Sequence, residues 1–132
     1  MTALREQALI VDDSRTVVAI MKRFLEVENF EVLVAGDGAL GLEIARREQP
    51  RVIVADVNMP GMGGFDMVRA LRGDARTRDI VIIMQTSDAS DESRRQAMEA
   101  GADDYIVKPF KREGLAAVLR AAADRAESAP RG

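Results

Sequence analysis

The 132-residue chain contains no cysteine, no histidine and no tryptophan. It therefore has no thiolate nucleophile, no imidazole general base, and none of the sulfur and nitrogen ligands that zinc favours. Any chemistry must run on oxygen ligands and amines. The lack of Cys is compatible with a reducing cytosol. Excess positive charge is missing too: the net charge is -3 and the pI about 5.1. That is the wrong sign for a domain whose affinity comes from neutralising nucleic-acid phosphates, so no direct nucleic-acid binding is expected. Arg46 with Arg47, Arg94 with Arg95, and the arginines at 69, 72, 76 and 78 read as solvated helix faces and loops. No apolar run approaches transmembrane length. The opening "MTALREQALIVDD" is broken by Arg5, Glu6 and Gln7 and closed by Asp12 and Asp13, unlike a signal peptide. A cytoplasmic protein without membrane insertion is expected.

Hydrophobic residues make up 47% of the chain and charged residues 31%, the balance of a folded globular domain, and the length suits one domain, taken as 1–132. Four β-type runs stand out: "ALIV" at 8–11, "EVLVA" at 31–35, "VIVA" at 52–55 and "IVIIM" at 80–84, with a weaker "YIV" at 105–107. Helix-length stretches separate them. Val17, Ile20, Met21, Phe24 and Leu25 fall at helical spacing behind a Ser14 or Asp13 cap. The stretch 37–48 carries Gly41, which costs a helix interior about 1 kcal/mol relative to Ala. A third helix begins near Gly64 with Phe65, Val68 and Leu71 inward, and a fourth covers roughly 90–100 and ends at Gly101. The last runs from Lys111 to about Glu127, buries Leu115, Val118, Leu119 and Ala122, and is stopped by Pro130. Alternating strands and helices with short connections predict a parallel sheet with helices on both faces.

In such folds ligands bind beyond the carboxyl ends of the strands. There the chain places Asp12 and Asp13, then Asp56, then Thr86 and Ser87, then Lys108 before Pro109. Each has an ordinary alternative: Asp12 and Asp13 as caps of the first helix, Thr86 and Ser87 as caps of the fourth, Asp56 as a turn opener. Together they put three acids, two hydroxyls and an ammonium on one edge. Three carboxylates in a small pocket either protonate in part or hold a hard cation on oxygen, for which Mg²⁺ is the physiological favourite. A metal-bound, exposed Asp is a nucleophile towards phosphorus, and Lys108 and Thr86 suit phosphoryl oxygens.

The motifs "VDDS", "DVNMPGMGG", "MQTSD" and "AGADDYIVKPF", with their spacing, resemble the receiver domain of bacterial two-component response regulators, over about Ala8 to Ala126, with a short tail at 127–132. The lone domain and "DVNMP" lean towards the chemotaxis type. The resemblance implies a flavodoxin-like, doubly wound sheet of order 2-1-3-4-5; the chemotaxis receiver is itself a stock example of that order. It also implies that Asp56 accepts a phosphoryl group from a partner histidine kinase or histidine phosphotransfer protein. Asp13, Asp56 and the Asn58 carbonyl would bind Mg²⁺, or Mn²⁺ as a substitute, with Asp12 acting through metal-bound water. Lys108 and Thr86 would contact the phosphoryl group. Tyr105 would turn inward as Thr86 moves, reshaping the face of the fourth helix, fifth strand and fifth helix for a downstream protein. A cis Lys108–Pro109 bond follows the same pattern.

Three residues depart from the family: Gly63 in place of a capping Asp or Asn, Gln85 in place of an apolar residue, and Ser87 in place of Ala or Gly. Asn58, Ser87 and Asp88 would line the path of the water that removes the phosphoryl group. With no His on this chain the donor must be another protein or a small phosphodonor. A metal-dependent phosphatase using an aspartyl phosphate is the enzyme alternative, but it needs a second Asp two residues after the nucleophile, where Asn58 stands. A flavin module lacks its phosphate loop and stacking aromatics. A degenerate binding-only receiver would have lost an acid or the lysine. A receiver cut from a longer regulator would read the same.

Overall fold

A computed structural model describes residues 6–59 and 61–128, apart from the side chains of 123 and 125–128. Its elements alternate throughout: β1 Glu6–Val11, α1 Arg15–Val27, β2 Phe30–Ala35, α2 Gly38–Glu48, β3 Val52–Asp56, α3 Gly64–Arg72, β4 Val81–Thr86, α4 Asp91–Ala100, β5 Asp104–Val107 and α5 Arg112–Ser128. The strands form one parallel sheet in the order β2-β1-β3-β4-β5, as expected. The central strands β3 and β4 are buried at every position, which is why their sequences are continuous apolar runs. The expected stop at Pro130, and Pro60 in the loop after β3, lie outside the described residues.

Alternate residues of each strand serve different cores. Ala8, Ile10, Val52, Val54, Val81, Ile83 and Ile106 pack under α1 and α5 with Met21, Leu25, Leu115, Leu119 and Ala122. Leu9, Val11, Ile53, Ala55, Ile82, Met84 and Tyr105 pack under α2, α3 and α4 with Leu42, Met67, Val68, Leu71 and Ala97. Two residues take on more than their sequence pattern says. Ile20 is 48% exposed, because Met21 and Leu25 take the buried line of α1 and leave Ile20 at its edge beside Pro109 and Phe110. Gly41 is not simply a weak point of α2: a Cβ there would lie 2.8 Å from the Val11 Cγ2, so the missing side chain lets the helix close on β1.

The caps follow local chemistry. The Ser14 hydroxyl accepts the Val17 N–H, Asp37 caps α2, and Gly101 ends α4 with φ 116°, a left-handed conformation that glycine adopts without steric cost. Neither Thr86 nor Ser87 caps α4; Ser90 does, accepting the Ser93 N–H. Gly63 occupies the N-cap of α3 without a side-chain hydrogen bond, so the expected loss of that cap is borne out.

Candidate functional site

The site sits where β1, β3, β4 and β5 end. Asp12 follows β1 directly, held by its N–H on the Ala35 carbonyl at 3.0 Å, and is 2% exposed, whereas Asp13 beside it is exposed. Asp56 is the last residue of β3. One carboxylate oxygen from each of these three acids can lie within 4.8 Å of the others. Lys108 Nζ is 3.3 Å from Asp56 Oδ2 and 3.6 Å from Asp12 Oδ2, bridging the two buried acids. The Lys108–Pro109 bond is cis, and the Lys108 N–H is fixed on the Thr86 carbonyl at 2.7 Å.

Each acid is further fixed. Asp56 Oδ1 accepts the Asn58 N–H at 3.1 Å, so the turn-opening reading and the presented-carboxylate reading of Asp56 hold together. Gly64 lets α3 start against the end of β3: a Cβ on it would lie 2.3 Å from the Asp56 carbonyl oxygen. Asp12 Oδ1 accepts the Ser14 N–H at 2.8 Å and its Oδ2 accepts from Gln85 Nε2 at 2.8 Å. Burial pushes the Asp12 carboxyl up from its ordinary range and the Asp56 charge adds to this, while the Ser14 N–H and Lys108 act against it.

The remaining predicted residues gather around Asp88. The buried Thr86 hydroxyl accepts the Asp88 N–H at 3.0 Å. Tyr105 is 9% exposed and already inward, its hydroxyl donating to the Asp88 carbonyl. The backbone of a single residue, Asp88, thus joins the two residues expected to move together. The Asp88 carboxylate accepts the Ser90 N–H, which holds it below the ordinary range. Asn58 and Ser87 are exposed at the mouth of the site.

The response regulator receiver domain family matches residues 8–120. The chain belongs to that family. It is 35% identical over 130 residues to the DNA-binding response regulator MtrA of Mycolicibacterium smegmatis, covering 98% of this chain and 56% of that one, so it spans about half the length of such relatives. Among solved structures it is similar to the chemotaxis response regulator CheY4 of Vibrio cholerae, with a TM-score of 0.85 and 34% identity over 90% of this chain and 99% of that one. The receiver domain of the Pseudomonas aeruginosa sensor kinase PA1611, solved with magnesium in its active-site cleft, superposes with a TM-score of 0.82 at 26% identity, covering 91% and 99% of the two chains. The receiver fold and the two-component class are thereby settled, and no described helix is long and apolar enough to cross a membrane.

The donor set fits a hard divalent cation: three carboxylates, no nitrogen or sulfur ligand nearby, and one ammonium that offsets only part of their charge. Gln85 is the site residue that sequence reasoning noticed but gave no task. Its signal was an amide within the run "VIIMQT", every residue of which is buried.

Proposed function

We propose that Asp56 is the phosphoacceptor of a signalling switch, loaded by a phosphohistidine on a kinase or phosphotransfer protein and read by a downstream protein. What carries the reading is the buried Asp56 carboxylate at the end of the central strand, with the Lys108 ammonium 3.3 Å away and two more acids around it. In the transfer an Asp56 oxygen bonds to phosphorus as the phosphorus–nitrogen bond breaks, and the donor imidazole nitrogen leaves with the electron pair. Asp13, Asp56 and the Asn58 carbonyl would hold Mg²⁺, with Asp12 acting through metal-bound water, and the cation would supply positive charge to a phosphoryl oxygen. Lys108 stays with the phosphoryl group as a fixed counter-charge.

Thr86 reads the result. Its oxygen accepts the Asp88 N–H, which leaves the hydroxyl proton free to donate to a phosphoryl oxygen. Because Asp88 also takes the Tyr105 hydroxyl, a shift of Thr86 is felt at Tyr105 and at the start of α4. Phosphorylation then favours the arrangement in which these contacts coexist, a population shift of the α4, β5 and α5 face. Asn58, Ser87 and Asp88 at the mouth set the phosphoryl lifetime by controlling water. The phosphatase alternative fails at Asn58, whose amide cannot transfer the proton that turnover of an outside ester requires.

Incubation with an acyl phosphate and Mg²⁺ tests the assignment: intact-mass analysis should show a gain of one phosphoryl group, abolished by chelator and by Asp56→Asn. A gain that survives Asp56→Asn refutes it.

A further inference from the structure

We propose that Gln85 is a positioning residue for the metal site, acting through Asp12. This rests on the reading of the acidic cluster as a Mg²⁺ site. Gln85 and Asp56 are register partners on β4 and β3, and Asp12 follows β1 on the other side of β3. Strands lie about 4.8 Å apart, so the Gln85–Asp12 bond spans two strand spacings and passes over the end of β3. Only a long side chain with a terminal donor can make it; the apolar residues that fill the rest of the strand cannot.

Packing does not ask for an amide here. Gln85 is fully buried and its Oε1 has no hydrogen-bond partner among the described residues, so this position carries a desolvated carbonyl that Met or Leu would avoid. What the amide provides is its donor: Nε2 meets Asp12 Oδ2 at 2.8 Å while the Ser14 N–H holds Oδ1. The carboxylate is gripped at both oxygens, and its orientation towards Asp13 and Asp56 is set before any cation arrives. Partners that fix a ligating or near-ligating group in this way are worth about 10–100-fold in metal affinity.

Calorimetric titration with Mg²⁺ of the wild type, Gln85→Met, Asp12→Asn and the double variant tests this, alongside thermal melts in chelator. Gln85→Met should raise the Mg²⁺ dissociation constant about tenfold, while the variant still melts cooperatively in chelator. In the Asp12→Asn background the same substitution should change Mg²⁺ affinity little, since the group it acts through is altered. Unchanged affinity in Gln85→Met, or an equal loss in both backgrounds, overturns the proposal while leaving the phosphoacceptor reading intact. A wild type that binds no Mg²⁺ overturns both.

Discussion

Asp12→Asn should make the metal-free domain more stable at neutral pH. The Asp12 side chain is wholly inaccessible, and burying a carboxylate costs several kcal/mol. A second carboxylate within 4.8 Å adds a repulsion of about 3 kcal/mol at an effective dielectric of about 20. Against this stand Lys108 at 3.6 Å and the Ser14 and Gln85 hydrogen bonds. The raised pKa of Asp12 shows that the opposing side prevails. The amide keeps an acceptor for Ser14 and removes the charge, so the variant should melt at a higher temperature than the wild type in chelator. The sign with pH is fixed: a carboxyl whose folded pKa lies above its unfolded value penalises the fold only when ionised. The advantage of Asp12→Asn therefore grows as pH rises through the folded pKa and vanishes as pH falls below about 4, where the wild-type group is neutral in both states. Urea unfolding in chelator at both pH values measures it, and Mg²⁺ should then stabilise the wild type more than the variant. Loss of stability in chelator at neutral pH, or a gain undiminished in acid, refutes the charge argument.

Gly64→Ala should disrupt the site, because its Cβ would fall 2.3 Å from the Asp56 carbonyl oxygen and 2.8 Å from Met84 Cε; Gly63→Asp has open space and should be tolerated, with chemical phosphorylation and melting read side by side. Arg72→Met should cost about 3–5 kcal/mol in urea unfolding, the range for breaking a buried ion pair, because Arg72 meets the buried Asp103 at 2.9 Å and also donates to the Gly101, Arg78 and Ile80 carbonyls. Tyr105→Phe removes the hydroxyl bond to Asp88 and should cost about 1 kcal/mol while leaving phosphorylation of Asp56 intact and weakening its effect on α4, followed by amide chemical shifts in 91–100.

Strand placement was legible because buried parallel strands write themselves as apolar runs, and the site was legible because those runs end in charge. Asp12, Asp13, Asp56 and Lys108 each break such a run, and the structure brings them together. What escaped was anything decided by a contact outside the local pattern. Ile20 fits the helical period yet faces solvent, since periodicity sets a stripe and not its edges. Thr86 and Ser87 are capping types, but a loop of three further residues puts Ser90 at the α4 N-terminus instead. Asp88 looked like a side chain guarding water, while its backbone turned out to join Thr86 to Tyr105, which no residue-type argument can see.

Under the proposed function, the charges of the site give both Lys108 and a cation a role. Three carboxylates against one ammonium leave two negative charges in excess at the sheet edge, partly out of water. A divalent cation balances that excess. Phosphorylation consumes the Asp56 charge and adds about two on the phosphoryl oxygens, so without the cation the excess grows to about three in a pocket where Asp12 is already disfavoured as an anion. With it the excess is about one, and the Thr86 hydroxyl proton is a donor at the same sheet edge that could meet it. In the proposed switch the pull on Thr86 would thus be strongest once the group is attached and the cation is in place, which would tie a readout through Asp88 and Tyr105 to the loaded site and not to the bare acid cluster.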